Sequence, residues 1–137
     1  MNDTTRKKRL ERRAYVEMRQ ICQRLSVPDV DVIVVSGEYA FIDISAPKGI
    51  VDYVWINLPS WQPEFGLDWT LAHELAHWKQ VYEELGDDPW EIESEEAQDY
   101  ADCIAQQITG MTRKDLVESG WYANEERLLR GEHEPLP

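Results

Sequence analysis

Apolar positions along the chain first follow a helical spacing. Ala14, Val16, Met18, Ile21, Cys22 and Leu25 supply most of one side of a segment that Thr4 or Thr5 can cap and that Pro28 closes, which predicts a helix over about residues 4–25. The spacing then shortens. Three β-rich runs, residues 30–35, 39–44 and 51–58, are separated by Ser36-Gly37 and Pro47-Lys48-Gly49 and read as a small, mainly antiparallel three-stranded sheet. Pro59 and Pro63 bound a loop, after which helical periodicity returns over residues 69–85, with Asp68 as the N-cap and Gly86 as the stop. A further helix is predicted from Pro89, whose fixed φ suits the first helical position behind Asp88, to Thr109-Gly110. Thr112 and Asp115 make a capping-box-like start, with Asp in the usual Glu position, for a short helix ending at Gly120. The tail from Trp121 has no readable period. A helix, three strands and then helices define an α+β class, and no repeat, low-complexity run or linker divides residues 1–137 into more than one domain.

Composition narrows the picture. A chain of 137 residues is long enough for a modest core of its own. The net charge of −13 is unevenly spread: residues 1–24 hold eight Lys/Arg against three Asp/Glu, a surplus of five, so the remainder carries −18. An acidic body repels phosphates, so nucleic acid is not the expected partner. The basic residues Arg6, Lys7, Lys8, Arg9, Arg12 and Arg13 read as a solvated helix face, the alternative being a contact for an acidic partner. Cys22 and Cys103 lack CxxC spacing and read as free thiols, small core residues of a cytoplasmic protein. Neither a signal peptide nor a membrane span is expected, since no apolar run follows the basic start and none is long enough to cross a bilayer.

The candidate chemistry lies in His73-Glu74-Leu75-Ala76-His77, an HExxH pattern on the predicted helix of residues 69–85. Residues four apart share a helix face, so both imidazoles can bind one Zn2+ ion, with Glu74 beside it as proton acceptor. Two histidines do not complete a catalytic zinc site, which usually takes three protein ligands and leaves the fourth position to water. The remaining histidine, His133, sits in a polar, Pro-ended tail, so a carboxylate from the following helix is the better candidate. There Trp90, Ala97, Tyr100, Ala101, Ile104 and Ile108 form one stripe. Glu93 falls inside it, where a lone carboxylate is costly unless paired or metal-bound. Glu93 is therefore the expected third ligand and Glu96, about 90° off the stripe, the alternative. Asp99 or Asp102 is either a solvated acid or an acceptor that orients a histidine.

These residues resemble the small gluzincin-like metallopeptidases, particularly the ImmA/IrrE type. That type pairs the HExxH helix with a later helix of approximate pattern Glu-x-Glu-Ala-Asn-x-Phe-Ala, beside which this chain has Glu95-Glu96-Ala97-Gln98-Asp99-Tyr100-Ala101. Gln98 replaces the Asn, Tyr100 the Phe, and Ser94 stands where the ligand-like Glu would fall. Pro89-Trp90-Glu91-Ile92-Glu93 is similar to the start of this helix in other compact HExxH proteins and favours Glu93. The resemblance implies a minimal zincin-like fold and zinc-dependent cleavage of a cytoplasmic protein, of the kind that removes a repressor.

In such a mechanism Glu74 takes a proton from zinc-bound water and passes it to the leaving amine. Tyr53, Tyr82, Tyr100, Tyr122 and His133 are candidate oxyanion stabilisers, although each reads first as a packing or surface residue. Residues 51–58 are either a sheet edge that an extended peptide substrate joins or an internal strand with Val54 and Ile56 in the core. Among six tryptophans, Trp55 and Trp61 are candidates for a cleft wall and the others for packing. The alternative function is a protein-binding or regulatory module that holds zinc without hydrolysis; a nucleic-acid-binding regulator using the first helix fits the charge poorly. Oligomeric state has no sequence signal.

Overall fold

Leu10, Ala14, Met18, Ile21, Cys22 and Leu25 recur on one side of α1 (Asp3–Leu25), and all six are buried. Leu10 extends the predicted stripe by a turn. Val16, two residues and so about 200° from Ala14, turns outward and is 52% exposed. The computed structural model describes residues 3–35, 40–45, 53–60, 62, 66–83 and 94–118. Beyond α1 the elements are β1 (Asp31–Val35), β2 (Phe41–Ser45), β3 (Tyr53–Pro59), α2 (Leu67–Glu83), α3 (Glu95–Thr109) and α4 (Arg113–Glu118). The class is α+β, as the order of elements predicts. None of the described helices is long and apolar enough to cross a membrane.

The sheet departs from the expected antiparallel meander. Its order is β1-β3-β2, with β3 parallel to β1 and antiparallel to β2. β3 is the strand fit for the centre, since Val54, Ile56, Asn57, Leu58 and Pro59 are all buried along it. The flanking strands carry Asp31 and Asp43, the kind of polar position that an edge tolerates. Of the two readings of residues 51–58, the described part, residues 53–58, is the internal strand, with Val54 and Ile56 in the core, and β2 is an edge among the described strands.

α2 is buried almost all round, from Leu67 through Trp78 apart from Asp68. It packs on α1 and the sheet, and on α3. In such a helix a buried polar group is costly unless it makes a specific contact. It starts one residue before the predicted cap: the Thr70 N–H donates to Gly66 O (3.0 Å), and Asp68 Oδ1 accepts from its neighbour Trp69 N–H (2.9 Å). Gly66 holds φ 79°, which glycine adopts without cost.

α3 begins later than the Pro89 signal predicts. Ser94 is its N-cap, with extended backbone and a hydroxyl that accepts from the Ala97 N–H at 3.1 Å. The apolar stripe therefore cannot be extrapolated through Ser94 to Glu93 as helix. Ala97, Ala101 and Ala105, spaced at i, i+4 and i+8, form the buried line of α3. Cys103, two positions off this line, is exposed rather than a core residue, whereas Cys22 is buried as expected. Gly110 ends α3 in the left-handed conformation, and its N–H donates to Gln106 O (2.8 Å). The predicted capping box of α4 forms in full: the Thr112 N–H donates to Asp115 Oδ2 (2.9 Å) and the Asp115 N–H to Thr112 Oγ1 (3.1 Å).

Candidate metal centre

His73, Glu74 and His77 are all buried on α2, and the two imidazole centroids lie 5.0 Å apart, edge to face. Position 73 is fixed from three sides. Its Nδ1 meets Asp102 Oδ1 at 2.9 Å, its Nε2 meets Gln98 Oε1 at 3.0 Å, and its ring stacks on Trp69 at 5.4 Å. Asp102 is held in turn by Arg113, whose Nε and Nη2 donate to Oδ2 and Oδ1 at 3.0 and 2.9 Å. The same guanidinium lies 5.0 Å above the Trp69 ring, and the Trp69 indole N–H donates to Met111 O at 3.0 Å. The α3–α4 turn thus supports the carboxylate, and the carboxylate orients the imidazole.

Electrostatics follow from this geometry. Burial pushes the Asp102 carboxyl up, but the hydrogen bonds from His73 and Arg113 and their charges outweigh it and hold the group below the ordinary carboxylate range. Asp102 is therefore an acceptor, and the His73 Nδ1–H donates to it. Burial raises Glu74 to about 7, against the opposing pull of His73, Arg113 and the Ile42 backbone N–H. A carboxyl near that value can both take and return a proton at neutral pH. Burial, reinforced by the charge of His73, lowers His77 to about 4, with a hydrogen bond to Gln98 as acceptor and the charge of Asp102 acting the other way. His77 is thus a neutral donor. Its Nδ1 is buried and has no hydrogen-bond partner among the described residues.

The donors fit a transition metal such as zinc in part. Two imidazoles stand side by side on α2, one has a ring nitrogen on a carboxylate as metal-binding histidines do, and the other leaves a buried nitrogen unsatisfied. Among the described residues no third His, Cys, Asp or Glu joins them as a metal-holding group. Glu96 is exposed, and Glu93 lies outside the described residues. The α3 side chains that face His73 are Gln98 and Asp102, one helical turn apart. The orienting role weighed for Asp99 or Asp102 falls to Asp102, while Asp99 is exposed. Sequence reasoning missed Arg113, for which the only signal was its place at the first turn of α4.

The other candidates are placed as follows. Tyr53 and Tyr82 are 49% and 39% exposed, with their rings against Trp55 (4.4 Å) and Trp78 (5.3 Å). Tyr100 is half-buried on α3. Trp55 lies on the sheet face away from the core, its indole N–H donating to Asn57 Oδ1 at 3.2 Å. Trp61, Tyr122 and His133 lie outside the described residues. No family model, curated protein or solved structure matches the chain, so the functional reading rests on these residues themselves.

Proposed function

We propose that the chain is a zinc-dependent metallopeptidase with a minimal zincin-like fold that hydrolyses a peptide bond in a cytoplasmic protein, with regulatory cleavage of a repressor as the reaction that the ImmA/IrrE resemblance implies. One observation carries this reading: His73, Glu74 and His77 are buried together on α2, with the His73 Nδ1 locked onto an ionised Asp102. Structural helices have no need of that combination. His73 and His77 hold the ion, which when bound supplies an activated water and polarises a carbonyl oxygen. Glu74 takes the proton at its carboxylate and returns it to the leaving amine. Its other contact is the N–H of Ile42 on β2. β2 is a sheet edge among the described strands, so an extended peptide pairing along it would lie beside Glu74. Two free thiols agree with a reducing compartment.

A second reading, a zinc-containing protein-binding or regulatory module without hydrolysis, draws on the amide, rather than carboxylate, of Gln98 at the imidazoles. Elemental analysis and a mixed peptide library separate the two. The enzyme binds about one zinc per chain, loses it in the double variant His73→Ala plus His77→Ala, and cleaves library members that Glu74→Gln leaves intact. Unchanged zinc in the double variant rejects the metal site; zinc binding with no cleavage that depends on Glu74 favours the module.

A further inference from the structure

The sheet has two unlike faces. Val34, Ile42, Val54 and Ile56 point into the core beneath α1 and α2, whereas the alternate positions of the same strands bring Ile33, Phe41, Tyr53 and Trp55 onto the outer face. Ile33, Phe41 and Tyr53 are 40%, 47% and 49% exposed there. Apolar side chains scattered singly over a surface need no explanation, but the register makes these neighbours: Ile33 and Phe41 flank Asn57 from either side, and Tyr53 stacks on Trp55 at 4.4 Å. Trp55 is flanked by acids across both ladders, with Asp31 as its partner on β1 and Asp43 on β2. Buried Asn57 fixes this row: its Oδ1 accepts from the Trp55 indole N–H at 3.2 Å, and its Nδ2 donates to Asp43 Oδ2 at 2.9 Å. Among the described residues neither acid forms an ion pair with a Lys or Arg.

We propose that this outer face docks an extended basic segment of a partner protein, with an Arg or Lys side chain on Trp55 between Asp31 and Asp43 and apolar side chains of the same segment on Ile33 and Phe41. An aromatic ring attracts a cation through its π face, and the two carboxylates beside it are acceptors of the same sign, so the row as a whole selects positive charge. Guanidinium suits it best, since one planar group can stack on the indole and donate to a carboxylate. Charge at longer range agrees: the −18 carried outside residues 1–24 steers a basic segment towards the body. One exposed ion pair or cation–π contact is weak, so a segment with several contacts is the ligand rather than a single residue. The inference stands apart from the metal-site reading, because none of these residues lies on α2 or α3.

The probe is a synthetic peptide of repeated Arg-Thr-Val-Thr, in which Arg and Val share one face of the extended chain. Its control carries citrulline, which keeps the shape of Arg without the charge. Titration into the isotope-labelled full chain follows the indole N–H signals of the six tryptophans by NMR, that of Trp55 being assigned by its loss in Trp55→Phe. The Arg peptide is expected to shift the Trp55 signal, to bind more weakly as salt is added and to bind more tightly than the citrulline peptide. Asp31→Asn plus Asp43→Asn, which keeps an acceptor for Asn57, is expected to lower affinity about 2-fold to 30-fold, the worth of two exposed ion pairs. Equal affinity for the citrulline peptide, unchanged affinity in the double variant, shifts confined to other tryptophans, or no binding each overturns the proposal. Self-association in sedimentation velocity that Phe41→Ser removes makes the face an interface between copies of this chain and overturns it as well. Asp31→Asn alone, at an exposed position, keeps the test decisive if the double variant unfolds.

Discussion

At the scale of single residues, the site is a relay of positions: Arg113 holds Asp102, Asp102 holds His73, and Trp69 lies against both His73 and Arg113. Arg113→Met keeps an aliphatic stem over Trp69 and removes two charge-assisted bonds. Zinc affinity, read by competition with a chromophoric chelator, is expected to fall about tenfold or more, with little change in helix content. Glu74→Gln is expected to retain zinc and lose about 100-fold to 10,000-fold or more in cleavage rate, the usual worth of a positioned base. The cysteines give a test independent of metal. Burial, helped by the charge of Asp29, raises the Cys22 thiol from 9.0 to about 12, whereas Cys103 is exposed. One thiol per native chain should react rapidly with an aromatic disulfide and the second only on unfolding. Because the raised value favours the protonated folded state, Cys22 contributes stability below pH 9 that is lost as pH climbs towards 12. The urea midpoint of wild type should therefore drop more steeply above pH 9 than that of Cys22→Ala. His73, Glu74 and His77 were legible in the sequence because one helix fixes their spacing. Asp102 was legible only as one of several acids, and Gln98 only as a departure from a pattern, since their place depends on how α3 lies against α2.

At the scale of elements, the local rules for helix ends held around Gly110 and Thr112, missed the start of α2 by one residue at Asp68, and failed at the start of α3. Thr112 with Asp115, and Gly110, fall where their chemistry puts them. At the start of α3 the Pro89 signal competes with Ser94, and the hydroxyl of Ser94 is the cap observed. Ser94→Ala should cost about 1 kcal/mol in urea unfolding, because the Ala97 N–H loses its acceptor. The alanines of α3 set how near it comes to α2. Ala101→Leu is expected to destabilise the fold by about 1–3 kcal/mol and to weaken zinc binding by moving Gln98 and Asp102 away from His73. The sheet was readable as three strands but not as an order. Turn residues between consecutive strands suggest neighbours, and only the burial along β3 explains why the last strand takes the middle.

At the scale of the whole molecule, several arginines of the basic first helix are tied into the fold. Arg13 pairs with Glu17, Arg19 pairs with Asp29, Arg6 donates to Ser60 O and Arg24 to Ile108 O. Fluorescence anisotropy with duplex DNA is expected to show no salt-sensitive binding; a steep salt dependence would return α1 to the role of a nucleic-acid contact. The strand order has a consequence in time as well as in space. β1 and β2 never pair with each other, and each finds its ladder only when β3 slides between them, as in the distant pairing of Val32 with Ile56. Nonlocal pairing of this kind delays folding relative to a meander of the same length, and it leaves two strands with open edges while they wait. Ile42 belongs to one of those waiting strands, and its N–H is the backbone partner of Glu74. Glu74 therefore gains its backbone anchor only after the sheet has closed, so a chain emerging from synthesis, or one only partly refolded, carries the HExxH helix before Glu74 has its partner on β2.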